Sequence, residues 1–324
     1  MAKGANQKLK LLYIAKYFME NTDEEHFVTV PEIISYLNSN DISAERKAVY
    51  DDIECLKLFG LDICCEKAKT FNYYLASREF ETPELKLLVD AVQASKFITV
   101  KKSFALIKKI ETLTSKAGAG LLNREVYVAN RAKTENEHIY YNVDKIHEAI
   151  LKNRQICFKY YEWGTDKKKH FRKDGEFYKE APVALTYSDE NYYLITYKEK
   201  YNSYVHYRVD KMEQTSIAEE ERVLPKEQFD LPTYVKKTFS MYRGEEKSVT
   251  VEFDNSLVGV VIDRFGSNVT IVPSENTFTA HLNVAVSPYF YSWLVGFGNK
   301  AKILSPENVK ADFLNHIEEI RKIY

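Results

Sequence analysis

At roughly 100–200 residues per domain, a chain of 324 residues holds two to four domains. Its 45% hydrophobic and 29% charged residues are the balance of a soluble globular protein, and 11 glycines with 8 prolines, about half the usual share, exclude collagen-like and low-complexity classes. Lys and Arg number 46 against 47 Asp and Glu, a formal charge of −1, so the chain as a whole offers no polycation to nucleic acid or membrane.

In chain order, residues 8 to about 76 read as three helices and a short hairpin. The first helix carries Leu11, Ile14, Ala15 and Phe18 at helical spacing, and Lys16 interrupts its apolar run too early for a secretory signal. Thr29 and Pro31 open the second helix, striped by Ile33, Ile34 and Leu37. Ser43 and Arg46 open the third, which ends at Phe59 with Gly60 as its C-terminal cap. Residues 61–65 and 72–75 then pair as a two-stranded wing. From 83 to about 122 two amphipathic helices follow, one with Leu85, Leu88 and Val92, the other with Phe104, Ile107, Ile110 and Leu113.

A helix at about 144–151 leads into a strand at 155–161, and short strands continue to about Met212, with Asp174-Gly175 as a hairpin turn signal. Residues 224–244, with two prolines, read as an interdomain connector. The remainder follows a β-α-β-β-α-β-α order, a small α+β domain. Its closing helix places Val309, Phe313, Ile317, Ile320 and Tyr324 on one face. Residues 276–299 contain no Asp, Glu, Lys or Arg, but their alternation from Thr277 to Val286 and the break at Pro288 are strand features, so no membrane span is expected.

Four cysteines, Cys55, Cys64, Cys65 and Cys157, form no C-x-x-C pair and read as small buried or half-buried residues of the reducing cytoplasm. Gly296-Phe-Gly298-Asn-Lys-Ala301 matches a dinucleotide fingerprint, but a helix precedes it and a strand follows, the reverse of what the fingerprint needs. No metalloprotease, P-loop or nucleophile-elbow motif occurs. Catalysis, a metal and a cofactor are therefore not expected.

Two constellations carry the functional reading. Three helices with a tight turn before the third, closed by a hairpin, is the winged helix-turn-helix pattern. In its third helix Val49, Ile53 and Leu56 share one face, which leaves Ser43, Lys47 and Tyr50 on or beside the other with Arg46 flanking. Residues 1–77 hold nine Lys/Arg against twelve Asp/Glu, a net of −3 that also suits a module binding a protein. The second constellation is a strand over 191–197, a loop and a strand over 203–209. Alternation places Tyr204, His206 and Arg208 on one face, where an Arg–His pair can clamp an anion and a tyrosine can stack a base.

Pro182-Val-Ala-Leu-Thr-Tyr, Asn191-Tyr192-Tyr193-Leu194 and His206-Tyr-Arg208-Val-Asp210-Lys211-Met212 resemble the WYL domain of bacterial transcriptional regulators, with Tyr192 in place of the name-giving Trp. Phe265-Gly266, the run Pro288-x-Phe290-x-x-Trp293-x-x-Gly296-x-Gly298 and Leu304-Ser-Pro306-Glu-x-Val309 resemble the WYL C-terminal extension. Tyr50-Asp51-Asp52-Ile53-Glu54 resembles the family's winged helix, with Asp51 where Arg is frequent. The resemblance implies an α+β multidomain chain: a winged helix-turn-helix at 1–80, a helical linker at 81–140, an SH3/Sm-like β-barrel at 141–225, and a small α+β C-terminal domain at 226–324 with connector 226–246.

It further implies a homodimer, which the cysteine usage places in the cytoplasm, that binds a double-stranded DNA operator; Ser43, Arg46, Lys47 and Tyr50, from their place on the third helix, are the expected contacts. The barrel would sense an anionic effector, a single-stranded nucleic acid or nucleotide, through Tyr160, His170, Arg172, Tyr193, His206 and Arg208. The alternative is a non-catalytic nucleic-acid-sensing accessory protein whose N-terminal module binds a protein, such as a defence-system component.

Overall fold

The computed structural model describes residues 5–67, 70–122, 133–225, 229–239, 241–242 and 244–324, with side chains from residue 8 onward. The chain divides into two compact units, residues 1–137 and 138–324. None of the described helices is long and apolar enough to cross a membrane.

The first unit runs α1 (Ala5–Asn21), β1 (Val28–Thr29), α2 (Val30–Ser39), α3 (Arg46–Phe59), β2 (Ile63–Lys67) and β3 (Phe71–Leu75), then α4 (Thr82–Ala94), α5 (Val100–Glu111) and α6 (Lys116–Leu122). The apolar stripes read from the sequence meet in one core: Ile14 and Phe18 of α1, Ile33 and Leu37 of α2, and Val49, Ile53 and Leu56 of α3 are buried together. The start of α2 is fixed by Glu32, whose carboxylate accepts from the Thr29 N–H at 2.7 Å, the reach-back half of a capping box. Gly60 ends α3 at φ 113°, a left-handed cap that a side chain would strain. The hairpin β2–β3 pairs Ile63 with Leu75 and Cys65 with Tyr73, and β1 adds to the far edge of β3.

Three expectations change here. Ser43 does not open α3; the N-cap is Glu45, and Ser43 lies in the preceding turn. Residues 83–122 form three helices, because Thr99 caps a fresh start, accepting from the Lys102 N–H at 3.2 Å, and the chain breaks again before α6. Their shared core is narrow, built on Leu85, Val89 and Leu122, while Leu88 and Phe104 stay exposed. Cys55 and Cys65 are exposed rather than buried.

The second unit opens with α7 (Ile139–Leu151), which begins well before the expected residue 144. Next come β4 (Arg154–Trp163), β5 (Lys169–Phe171), β6 (Tyr178–Ser188), β7 (Asn191–Lys198), β8 (Ser203–Arg208) and β9 (Met212–Glu221). They form one antiparallel sheet in the order β5-β4-β6-β7-β8, with β9 returning to pair with β4. Asp174-Gly175 is not a hairpin turn: β5 and β6 each pair antiparallel with β4, at Tyr161–Trp163 and at Ile156–Phe158, and Lys173, Asp174 and Gly175, all at positive φ, form a turn between them. The tight hairpin is β6–β7, whose loop residues Asp189 and Glu190 both take positive φ, the twist that suits a two-residue connection. α7 lies against this sheet; Asn142 Nδ2 donates to the Met212 carbonyl at 2.9 Å and Lys145 Nζ to that of Thr215 at 2.6 Å.

After α8 (Leu231–Lys237) the chain forms β10 (Glu245–Asp254), α9 (Val258–Phe265), β11 (Thr270–Pro273), β12 (Thr277–Val286), α10 (Pro288–Val295), β13 (Ala301–Ser305) and α11 (Glu307–Arg321). This is the β-α-β-β-α-β-α order read from the sequence, in a sheet ordered β11-β12-β10-β13. Phe253, Phe278 and Phe290 are buried at its centre, with Phe239, from the segment after α8, packed among them. The face expected along α11 is buried only at its start: Val309 is fully covered, whereas Ile317, Ile320 and Tyr324 are exposed.

Candidate functional site

Alternation along β8 holds as read: Tyr207 and Val209 are buried, while His206 and Arg208 lie half-buried on the other side. Beneath them Phe158, Tyr160, Tyr178 and Tyr207 form an aromatic core, with edge-to-face contacts such as Phe158–Tyr207 at 5.1 Å and Tyr160–Tyr207 at 5.3 Å. Tyr207 donates at 3.0 Å to Glu180 Oε1, a buried carboxylate that also takes Lys198 Nζ at 2.5 Å. Burial, then the Glu180 charge, pushes the Tyr207 hydroxyl far up.

Tyr160 is buried in that core with its hydroxyl turned toward β8, where it accepts from the Arg208 N–H at 3.1 Å. Burial raises its pKa to about 12, against the lowering effect of that hydrogen bond. The β7–β8 register sets Tyr193 directly across from Arg208 and Ile195 across from His206. The Arg208 guanidinium is already held: Nε and Nη2 donate to Asp210 at 3.0 and 2.9 Å, and Nη2 also to Asn191 Oδ1 at 2.9 Å. Among the described residues nothing bonds its Nη1, and the side chain keeps 38% of its surface exposed. Burial would lower the Arg208 pKa, but Asp210 outweighs it and holds it above the ordinary guanidinium value. Arg172 lies over the Tyr160 ring at 5.7 Å and pairs with Glu162. Tyr160, Arg172, Tyr193 and Arg208 are thus brought together.

His206 and His170 are placed otherwise. The His206 Nδ1 lies 2.5 Å from the Met241 carbonyl and Nε2 lies 2.8 Å from the Tyr234 hydroxyl. A carbonyl only accepts, so Nδ1 carries a proton and both ring nitrogens are engaged by the segment around α8. His206 is therefore a clamp for the connector rather than an open anion donor. His170 stays on the exposed β4–β5 hairpin and bonds Asp166 at 2.9 Å. Asn191 and Asp210, which aim Arg208, were not among the expected site residues; the Arg-x-Asp spacing of residues 208–210 was the available signal.

On α3 the exposed face carries Arg46 and Lys47, but also Glu45, Asp51 and Glu54, with Leu58 89% exposed near its end. Tyr50 is half-buried against the core, and its hydroxyl accepts from Arg46 Nε at 3.0 Å. Asp52 is taken up by Lys10 at 2.7 Å and Glu54 by Lys57 at 2.8 Å.

Residues 141–217 match the WYL domain and residues 245–321 match the WCX domain, so the chain carries a WYL domain followed by a WCX domain. Among solved structures the chain is similar to proteasome accessory factor B/C (PafBC) of Arthrobacter aurescens, at 14% identity and a TM-score of 0.28 over 95% of this chain and 45% of that one. It is also similar to a CRISPR Cas-related protein, at 16% identity and a TM-score of 0.36 over 75% of this chain and 71% of that one. The chain spans less than half the length of the first. No curated protein matches it.

Proposed function

We propose that this protein is a non-catalytic, effector-responsive transcriptional regulator, in which an SH3/Sm-like WYL domain senses an anionic nucleic acid or nucleotide and a winged helix-turn-helix binds duplex DNA. The observation that carries the reading is the WYL match together with Arg208, aimed by Asp210 and Asn191 beside Tyr193 and Tyr160. A planar fork with an open edge beside tyrosine hydroxyls suits a phosphate. For DNA, α3 would enter the major groove with Arg46 and Lys47 at its start, with Tyr50 and Ser43 beside them, and β2–β3 would serve as the wing. A cytoplasmic homodimer is part of the proposal, since two-fold DNA sites need a two-fold protein.

A second reading has its own support. The acidic residues on the exposed face of α3 suit a basic protein partner better than phosphates. Selection from a random duplex library at fixed salt, with and without the small molecules released from the purified protein, separates the two. Enrichment of a two-fold sequence, altered by a released anionic molecule, is the expected result. A library recovered without enrichment sinks the DNA reading.

A further inference from the structure

At the end of the connector, Gly244 passes so close to β12 that a Cβ there would collide with the Val286 carbonyl. This close approach lets Glu245 pair with Val286 just before α10 begins at Pro288. It brings two tyrosines from separate segments together: the rings of Tyr242 and Tyr289 stack at 4.1 Å and 25°. Both remain open to solvent, Tyr242 at 50% and Tyr289 at 43%.

The pair is tied to the Arg208 side of the sheet. Met241, adjacent to Tyr242, is buried and held at φ 55°, and its carbonyl takes the His206 Nδ1. His206 and Arg208 are two residues apart on one face of β8, about 6–7 Å along the strand. Arg264 of α9 holds the same corner by donating to the Thr238 carbonyl at 2.9 Å with its guanidinium 4.3 Å from the Phe239 ring. Burial pushes the Tyr193 hydroxyl up and Arg208 pulls it down, with Tyr289 among the groups that raise it further.

We propose that the WCX domain supplies part of the effector site: a nucleobase stacks on the Tyr242–Tyr289 pair while its phosphate meets the open Nη1 edge of Arg208. The inference rests on the nucleic-acid reading given above and adds residues from the connector and α10 to it. A free nucleotide and a single strand share this base-plus-phosphate chemistry, and a rigid pair of exposed rings is the usual platform for it.

The test measures binding of hexathymidylate, an abasic six-phosphate strand and thymidine 5′-monophosphate to the full chain by fluorescence anisotropy and calorimetry. Tyr242→Ala and Tyr289→Ala should each weaken hexathymidylate or the mononucleotide about tenfold. The abasic strand should be unaffected by them, and Tyr242→Phe and Tyr289→Phe should keep wild-type affinity. Tight binding of the mononucleotide identifies a free nucleotide as the source; binding confined to the hexamer identifies a strand. If both alanine variants bind base-containing ligands like wild type while Arg208→Lys weakens all three, the composite site is wrong and the WYL pocket stands. Equal weakening of hexathymidylate and the abasic strand also overturns base stacking. If the wild-type protein binds neither base-containing ligand, this inference and the reading beneath it both fall.

Discussion

Arg208 is positioned by its own neighbours before any ligand arrives, and this changes what its removal should do. Strand alternation alone makes it an exposed side chain whose loss costs little. In the structure it is half-buried and shared between Asp210 and Asn191. Arg208→Ala leaves the Asp210 carboxylate, only 18% exposed, without its cation. A loss of about 1–3 kcal/mol is expected for breaking a charged, hydrogen-bonded pair of this kind, at the low end because water reaches the pair. Thermal unfolding of Arg208→Ala, and of the same change combined with Asp210→Asn, checks it: the second substitution should recover most of the loss. A more costly break lies at Glu180. Lys198→Met strands a buried carboxylate, for which about 3–5 kcal/mol is expected, and Glu180→Gln in the same chain should restore part of it. Unfolding midpoints that do not distinguish the single from the double variant would show that Glu180 finds another partner.

At the scale of elements, α3 and the loop before β1 carry separate expectations. Arg46→Ala and Lys47→Ala should each weaken duplex binding. A lost base contact costs about 1–3 kcal/mol at one position, and a lost phosphate contact lowers the salt slope by about one. Unchanged affinity in both, at matched salt, removes α3 as the reading helix. In the turn after α1, burial pushes the Asp23 carboxyl up, but hydrogen bonds from Ser115 and His26 prevail and hold it below the usual carboxylate range. A depressed acid stabilises the fold fully above its unfolded pKa, and this contribution is lost as pH falls through the lower folded value. Ser115→Ala should therefore be less stable than wild type at neutral pH, with the gap closing in that acid window. Chemical denaturation at a series of pH values measures the gap; one constant with pH would rule out Asp23 as its origin. The helical stripes of α1, α2 and α3 were legible because residues three and four apart share a face whatever lies beyond the helix. The N-cap was not, since Ser43 and Glu45 differ only in where the turn delivers the chain.

For the whole molecule, the expected two-fold assembly would use the C-terminal α+β domain. Leu314, Ile317 and Ile320 of α11 are exposed. Sedimentation velocity of the full chain should give a dimer, and Ile317→Glu should shift it toward monomer; a wild-type monomer across the accessible concentration range removes the idea. The WYL and C-terminal-extension blocks were legible in the sequence as a resemblance. By itself the sequence determined the three N-terminal helices and their hairpin, the β-α-β-β-α-β-α order of the C-terminal domain, the β7–β8 pairing and the inward faces of α1, α2 and α3. All of these follow from short-range periodicity and turn chemistry. Only the tertiary structure decided that β6 and β9 flank β4, that His206 is taken up by Met241 and Tyr234, and that Tyr242 and Tyr289 stack. Each depends on residues far apart in the chain meeting at one point. No local propensity encodes that meeting, which is set by which buried surfaces close together and which polar groups must then find partners.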